Sequence, residues 1–148
     1  MATVHETIAA RIHAALLLCF AEEGDPPVSR AAVLPEDCPS EGLVNLRLED
    51  PVEEGRVFGV PAREWSRVAA VEIVAQPGDE AGARALFDAL AAKVGGLRGQ
   101  AIEGVDYLDL SAPGDVEDPP ILGDAPVRAG IVQITLYYET GDNPLEEI

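Results

Sequence analysis

Two histidines, two cysteines and 27 Asp and Glu residues are the side chains with which this chain could make bonds or hold metals. His5 and His13 lie eight residues apart on one helical segment, whereas a shared metal ion needs a spacing of three or four. They read as exposed helix-surface histidines. Cys19 and Cys38 have no paired zinc spacing, and Cys19 falls on the apolar side of a helix, where a free cysteine behaves as a small hydrophobe. The acidic runs "DPVEEG" and "DVEDPP" lack the ligand spacing and closing glutamate of a calcium loop, and read as solvated loop charge. No glycine-rich phosphate loop or nucleophile elbow occurs. Gly95-Gly96 follows a helix instead of opening one, so it reads as a C-cap. The three tyrosines and the tryptophan read as packing. The residues therefore predict no catalytic set, no metal and no cofactor, and a chain that is not an enzyme.

The carboxylates are informative in bulk. The formal net charge is −17 over 148 residues, which disfavours phosphate-binding surfaces and anionic membranes, since both are recognised through Lys and Arg. Such a field still permits a surface that DNA passes without sticking. The distribution is uneven: no Lys or Arg occurs between Gly99 and Val127, where Glu103, Asp106, Asp109, Asp115, Glu117, Asp118 and Asp124 all fall. The bases, apart from Arg128, lie at or before Arg98. Such a gradient can fold into two faces of opposite potential that meet head to tail in a closed ring, or into a generally acidic, solubilising surface.

These groups are carried by elements legible from spacing. Thr3 and Glu6 fit a capping box ahead of Ile8, Ile12, Leu16 and Cys19 at helical period, with Gly24 as the stop and Glu22 and Glu23 solvated at its end. Residues 24–42 hold four prolines and read as loop, with a short strand near Ala31–Leu34. "LVNLRLED" alternates as a half-buried strand, and a charged loop or irregular hairpin spans residues 50–63. Residues 65–76 read as a longer strand. Trp65, Val71 and Ile73 lie on one face and Val68, Ala70 and Val74 on the other, as in a central strand or one covered on both sides. Asp79 caps a second helix with Ala83, Leu86, Phe87, Leu90 and Val94 as its stripe. "VDYLDLS" is a short strand, residues 112–126 a long proline-rich loop, and Val132, Ile134, Leu136 and Tyr138 form the buried side of a final strand. The order predicts an α+β fold: a mixed, largely antiparallel sheet with two α-helices packed on one face, one domain over residues 1–148. The longest apolar run, Ala14 to Ala21, is too short to cross a bilayer. No secretion signal is read, and an intracellular, reduced protein is expected.

The stretches "AAVEIVAQPGDEAGARALFDALAAKVG" and "EGVDYLDLSAPGDVEDPPILGDAPVRAGIVQITLYYETGDNPL" resemble the tail terminator proteins of long-tailed phages, the minor tail protein U type and its relatives in prophages and gene transfer agents. The resemblance covers about residues 40 to 145 and rests on element order and three local features: the "VEIVAQ" strand leading into a capped helix, the short "VDYL" strand with its proline-rich loop, and the terminal "VQITLYYET" strand before "NPL". It implies a structural protein of the virion tail, assembled in the bacterial cytoplasm. There it forms a hexameric ring on the finished tail tube, stops tube polymerisation and offers the surface on which the head docks. Its partners would be copies of itself, the tail tube protein and the head completion protein, with DNA passing through unbound and no membrane. On that reading Arg56, Arg63, Arg67, Asp115, Glu117 and Asp118 are the candidate subunit or tube interface, and Glu53, Glu54, Asp106 and Asp109 the candidate acidic channel. Reversing Arg63 and Arg67 to Glu should then weaken assembly with the fold intact, and Leu136→Asp should unfold the domain. Two other readings remain open: a small α+β ligand-binding or acyl-transfer domain, and a head–tail connector subunit, the latter expected to be richer in helix.

Overall fold

A computed structural model describes residues 2–31, 38–57, 59, 61–76, 79–115 and 128–147, with the backbone alone of Asp115. Helix α1 (Val4–Cys19) begins at Thr3, whose hydroxyl accepts from the Glu6 amide at 3.3 Å. The Glu6 carboxylate pairs with Arg30 at 3.3 Å. The helix ends a turn before Gly24, because Phe20 leaves helical geometry and folds its ring into the core. Beyond it Asp25 accepts from the Glu22 amide, and Lys93 bridges Asp25 and Glu22 at 2.9 and 3.3 Å. The charge expected to be solvated at Glu22 thus ties α1 to the second helix.

The strands are β1 (Val28–Ser29), β2 (Leu43–Leu48), β3 (Val52–Val57) and β4 (Ala62–Ala75). Helix α2 (Glu80–Val94) follows, capped by Asp79 and leading into a 3-10 helix at Gly95–Gly99. Strands β5 (Val105–Leu110), β6 (Gly114–Asp115) and β7 (Arg128–Gly141) complete the order. The short strand expected near Ala31–Leu34 lies earlier, at β1; Ala31 is not in a strand, and residues 32–34 fall outside the described residues. Within the charged segment at 50–63, β3 pairs antiparallel with the start of β4.

Two 14-residue strands, β4 and β7, form the antiparallel spine of the sheet, paired from Ala62↔Gly141 to Ala75↔Arg128. Each carries a broken partner on its outer side. Strands β2 and β3 pair with successive halves of β4, and β5 and β6 with opposite halves of β7. Only β1 runs parallel, against β2. The protein is thus α+β, with a mixed, mostly antiparallel sheet and both helices on one face. That face presents Val44 and Leu46, Ala69, Val71 and Ile73, and Val132, Ile134, Leu136 and Tyr138 to Ile8, Ile12 and Leu16 of α1 and Phe87, Leu90 and Val94 of α2. Burial of each Val, Leu, Ile or Phe side chain here is worth about 1.5–3 kcal/mol before chain entropy is subtracted.

On the opposite face the backbone just after β1 is pinned at Ala31 by one buried amide. Asn45, fully buried, accepts from the Ala31 amide and the Ser29 hydroxyl, both at 2.8 Å, and donates to Ala31 O and Glu72. Asn45→Ala should cost about 1–3 kcal/mol in urea unfolding, the range for leaving buried partners unsatisfied. A loss below a few tenths would mean that the segment is held by other contacts.

Candidate functional site

Neither histidine is the exposed surface residue expected from sequence. Both flank the apolar stripe of α1 and are half-buried. The Nε2–H of His13 donates to Val28 O at 2.8 Å. His5 sits edge-on to Trp65, with ring centroids 4.8 Å apart, and its Nδ1 meets the Tyr138 hydroxyl at 2.7 Å. Burial first, and the Arg67 charge second, push its pKa below the ordinary value of 6.5, so the ring is neutral and Tyr138 donates to Nδ1. Below pH 6.5 the unfolded chain takes up a proton there that the fold resists, so stability declines as the pH falls from 6.5 toward the lowered folded value. His5→Gln should flatten that segment of a pH–stability curve measured by denaturant midpoints; an unchanged slope would contradict the assignment.

Burial also pushes the Cys19 and Cys38 thiols up. Both stay protonated and weakly nucleophilic at neutral pH. Among the described residues no group of three metal-ligating side chains converges.

The charged candidates divide sharply. The chain has ten bases, and nine are engaged within it. Arg11 pairs with Glu103, Arg30 with Glu6, Arg47 with Glu72, Arg56 with Glu53, Arg84 with Glu80, and Lys93 with Asp25. Half-buried Arg63 lies 3.7 Å from Glu53 and 3.9 Å from Asp142. Arg67 donates to Glu49 O at 2.7 Å and to His5 O at 3.1 Å, joining the β2–β3 connection to α1. Arg128 lies over the Phe87 ring, 4.2 Å from its centroid. Arg98 alone has no such contact among the described residues; it lines a 390 Å³ groove between the 3-10 helix and β5.

Each of these nine bases therefore already has a partner within the chain, although Arg47, Arg56 and Arg84 stay half or more exposed. Two expectations change. Arg67 is a structural tie, so its reversal to Glu would strip two carbonyls of their donor and harm the fold. The interface set is also dispersed. Arg56 and Arg63 sit near one end of β7, level with Thr140, and Asp115 near the other, opposite Gly130. That is about 30 Å along the strand. Glu117 and Asp118 lie outside the described residues.

The acids gather instead. The β4–β7 register sets Glu64 directly opposite Glu139 on the face without helices. The bulge between Glu53 and Gly55 swings Glu54 onto the Ser66 hydroxyl beside them. The bulge of β5 between Val105 and Tyr107 brings in Asp106. These four carboxylates, with Trp65 and Tyr137, line a cavity of about 350 Å³. Next to it Tyr107 and Tyr137, 57% and 39% exposed, face each other at 5.8 Å. Of the four candidate channel residues, Glu54 and Asp106 share this cavity, Asp109 lies further along β5 opposite Thr135, and Glu53 turns to the arginines. Sequence reasoning missed Glu64, Glu139 and the tyrosine pair. Placing Trp65 opposite Tyr138 would have revealed the Glu64–Glu139 pair; the tyrosine pair depends on the bulged β5–β7 register.

No protein-family model matches this chain, and no curated protein is significantly similar to it.

Proposed function

We propose that the chain is a ring-forming tail terminator of a phage or phage-like particle, which caps the tail tube, stops its growth and offers the head its docking surface. The observation that carries this reading is the pair of dissimilar strand edges, β3 and β5, left unpaired among the described residues on opposite sides of the β4–β7 spine at the same end of the sheet. A head-to-tail ring needs two different complementary patches on each subunit, and two open edges of unlike sequence meet that need. The resemblance of residues 40 to 145 to tail terminators adds independent support. Self-contact then runs through backbone edges and exposed apolar side chains, Val52 and Val57 on one side and Tyr107 on the other, and not through the arginines. Tail tube and head completion proteins are the further partners. The excess of acid keeps the hole repulsive to DNA phosphates, with Asp109 among the lining residues, and membranes play no part.

Like-charged copies repel, so ring formation should strengthen as salt rises, the reverse of an interface built on ion pairs. Added to polymerising tail tubes, the wild type should arrest elongation. Val52→Lys, which charges the open β3 edge without touching the core, should fold normally and fail to arrest. Tubes that grow unchecked in the presence of folded wild-type protein would refute the terminator reading.

A further inference from the structure

We propose that residues 142–147 form a latch across the start of α1, which opens on acidification through His5 while the sheet and both helices stay folded. This proposal stands whether or not the chain closes into rings.

Three features carry it. First, the latch buries little. Beyond Thr140 no side chain is buried among the described residues, and Leu145 is 70% exposed. The Val4 amide donates to Glu146 O at 2.9 Å, Thr3 bridges to Glu147, and the Gly141 amide donates to the Glu146 carboxylate. A segment with so little buried apolar surface opens at a fraction of the cost of global unfolding. Second, closure leaves a polar atom unsatisfied. Arg63 Nε is buried without a hydrogen-bond acceptor among the described residues, with Asp142 at 3.9 Å. Third, the ring that ties the latch to the sheet takes up a proton only at a cost. Arg67 donates to the Tyr138 hydroxyl, the hydroxyl donates to His5 Nδ1 at 2.7 Å, and the ring donates to the Pro144 carbonyl. A proton on Nδ1 reverses the middle link: the Tyr138 oxygen then meets two donors, and its own O–H, 1% exposed, loses its acceptor. Arg67 of β4 adds like-charge repulsion. The other charged groups around the ring are Glu6 of α1, paired with Arg30, and Arg63, Asp142 and Glu146 at the latch. Swinging the ring out relieves both costs and releases Pro144.

The closed latch holds His5 neutral, and the open one returns it to the ordinary value of 6.5. Closure is therefore fully favoured above pH 6.5, and the closed-to-open ratio falls by up to about tenfold per pH unit below it, until the lowered closed-state value is reached. Amide hydrogen exchange of the full chain, read by NMR with the intrinsic rates divided out, tests this at Val4, whose partner is on the latch. Val4 should exchange at least about tenfold faster than Val71 in the middle of β4, which marks a local opening. Its protection should fall at least about threefold from pH 6.5 to 5.0. In His5→Gln, whatever the level of that protection, the fall should vanish, and in Glu146→Gln it should persist. The His5 ring shifts of the wild type should titrate below pH 6.5. Equal protection of Val4 and Val71 would overturn the proposal, since no separate latch would open. So would a fall that survives in His5→Gln or disappears in Glu146→Gln, which would make a carboxylate the trigger. A His5 titration at or above 6.5 would overturn it too, because a closed latch that does not resist the proton is not opened by it.

Discussion

Ile134→Asp leaves the chain without a cooperative unfolding transition. Ile134 is fully buried in β7, between Ala69 of β4 and Leu110 of β5, beneath the two helices. Removing a buried isoleucine side chain costs about 2–5 kcal/mol, and placing a carboxylate there adds the desolvation of a charged group. The sum meets or exceeds the roughly 5–15 kcal/mol that holds an ordinary domain together. Leu136, the position singled out from sequence, is equally buried but stands opposite Arg67 in the register, so an aspartate there meets a guanidinium. Position 134 has none beside it among the described residues. Far-UV circular dichroism against urea decides it: no sigmoidal melt is expected for Ile134→Asp, and a loss of only about 0.5–1.5 kcal/mol for Ile134→Val. A cooperative Ile134→Asp melt near that of the wild type would place this strand outside the core.

Phe87→Ala should cost about 3–5 kcal/mol, the usual range for deleting a buried aromatic ring. The ring is fully buried, rests on Gly130 and is covered by the Arg128 guanidinium. Gly130 explains why the fit is tight. A Cβ there would come within 2.7 Å of the Phe87 ring and 2.5 Å of Gly114 O. Gly130→Ala alone should cost about 1–3 kcal/mol through overpacking. Combined with Phe87→Leu, part of that cost should vanish, with a coupling of about 0.5–3 kcal/mol in a double-mutant cycle. Strict additivity would mean that the clash is with the Gly114 carbonyl and not with the ring.

Both predictions use a packing pattern that the sequence displays openly. The 3.6-residue stripes of α1 and α2 and the alternation of β7 mark their buried faces, because burial on one side alone leaves a periodic trace. Asp79 and Thr3 mark helix starts for the same local reason, a side chain satisfying backbone amides. Strand breaks left no such trace. Nothing in "DPVEEG" shows that Gly55 follows a bulge, or that "VDYL" slips register after Val105, since bulges are set by what the partner strand requires. The uses of the bases were hidden too. Arg67 is followed by a hydrophobic run and reads as a surface charge, yet its target is a carbonyl 62 residues away. Glu64 and Glu139 lie 75 positions apart and become neighbours only through the β4–β7 register. A charge gradient along a chain therefore does not by itself assign its bases, because long side chains find partners across the fold.

The most direct test of the assembly reading is the native mass of the purified chain, read by mass spectrometry and checked by negative-stain imaging across a salt series. A closed ring of several 15.6 kDa subunits, gaining population as salt rises and lost in Val52→Lys, is the expected result. A monomer at every concentration and salt, together with saturable turnover of a small metabolite, would contradict it.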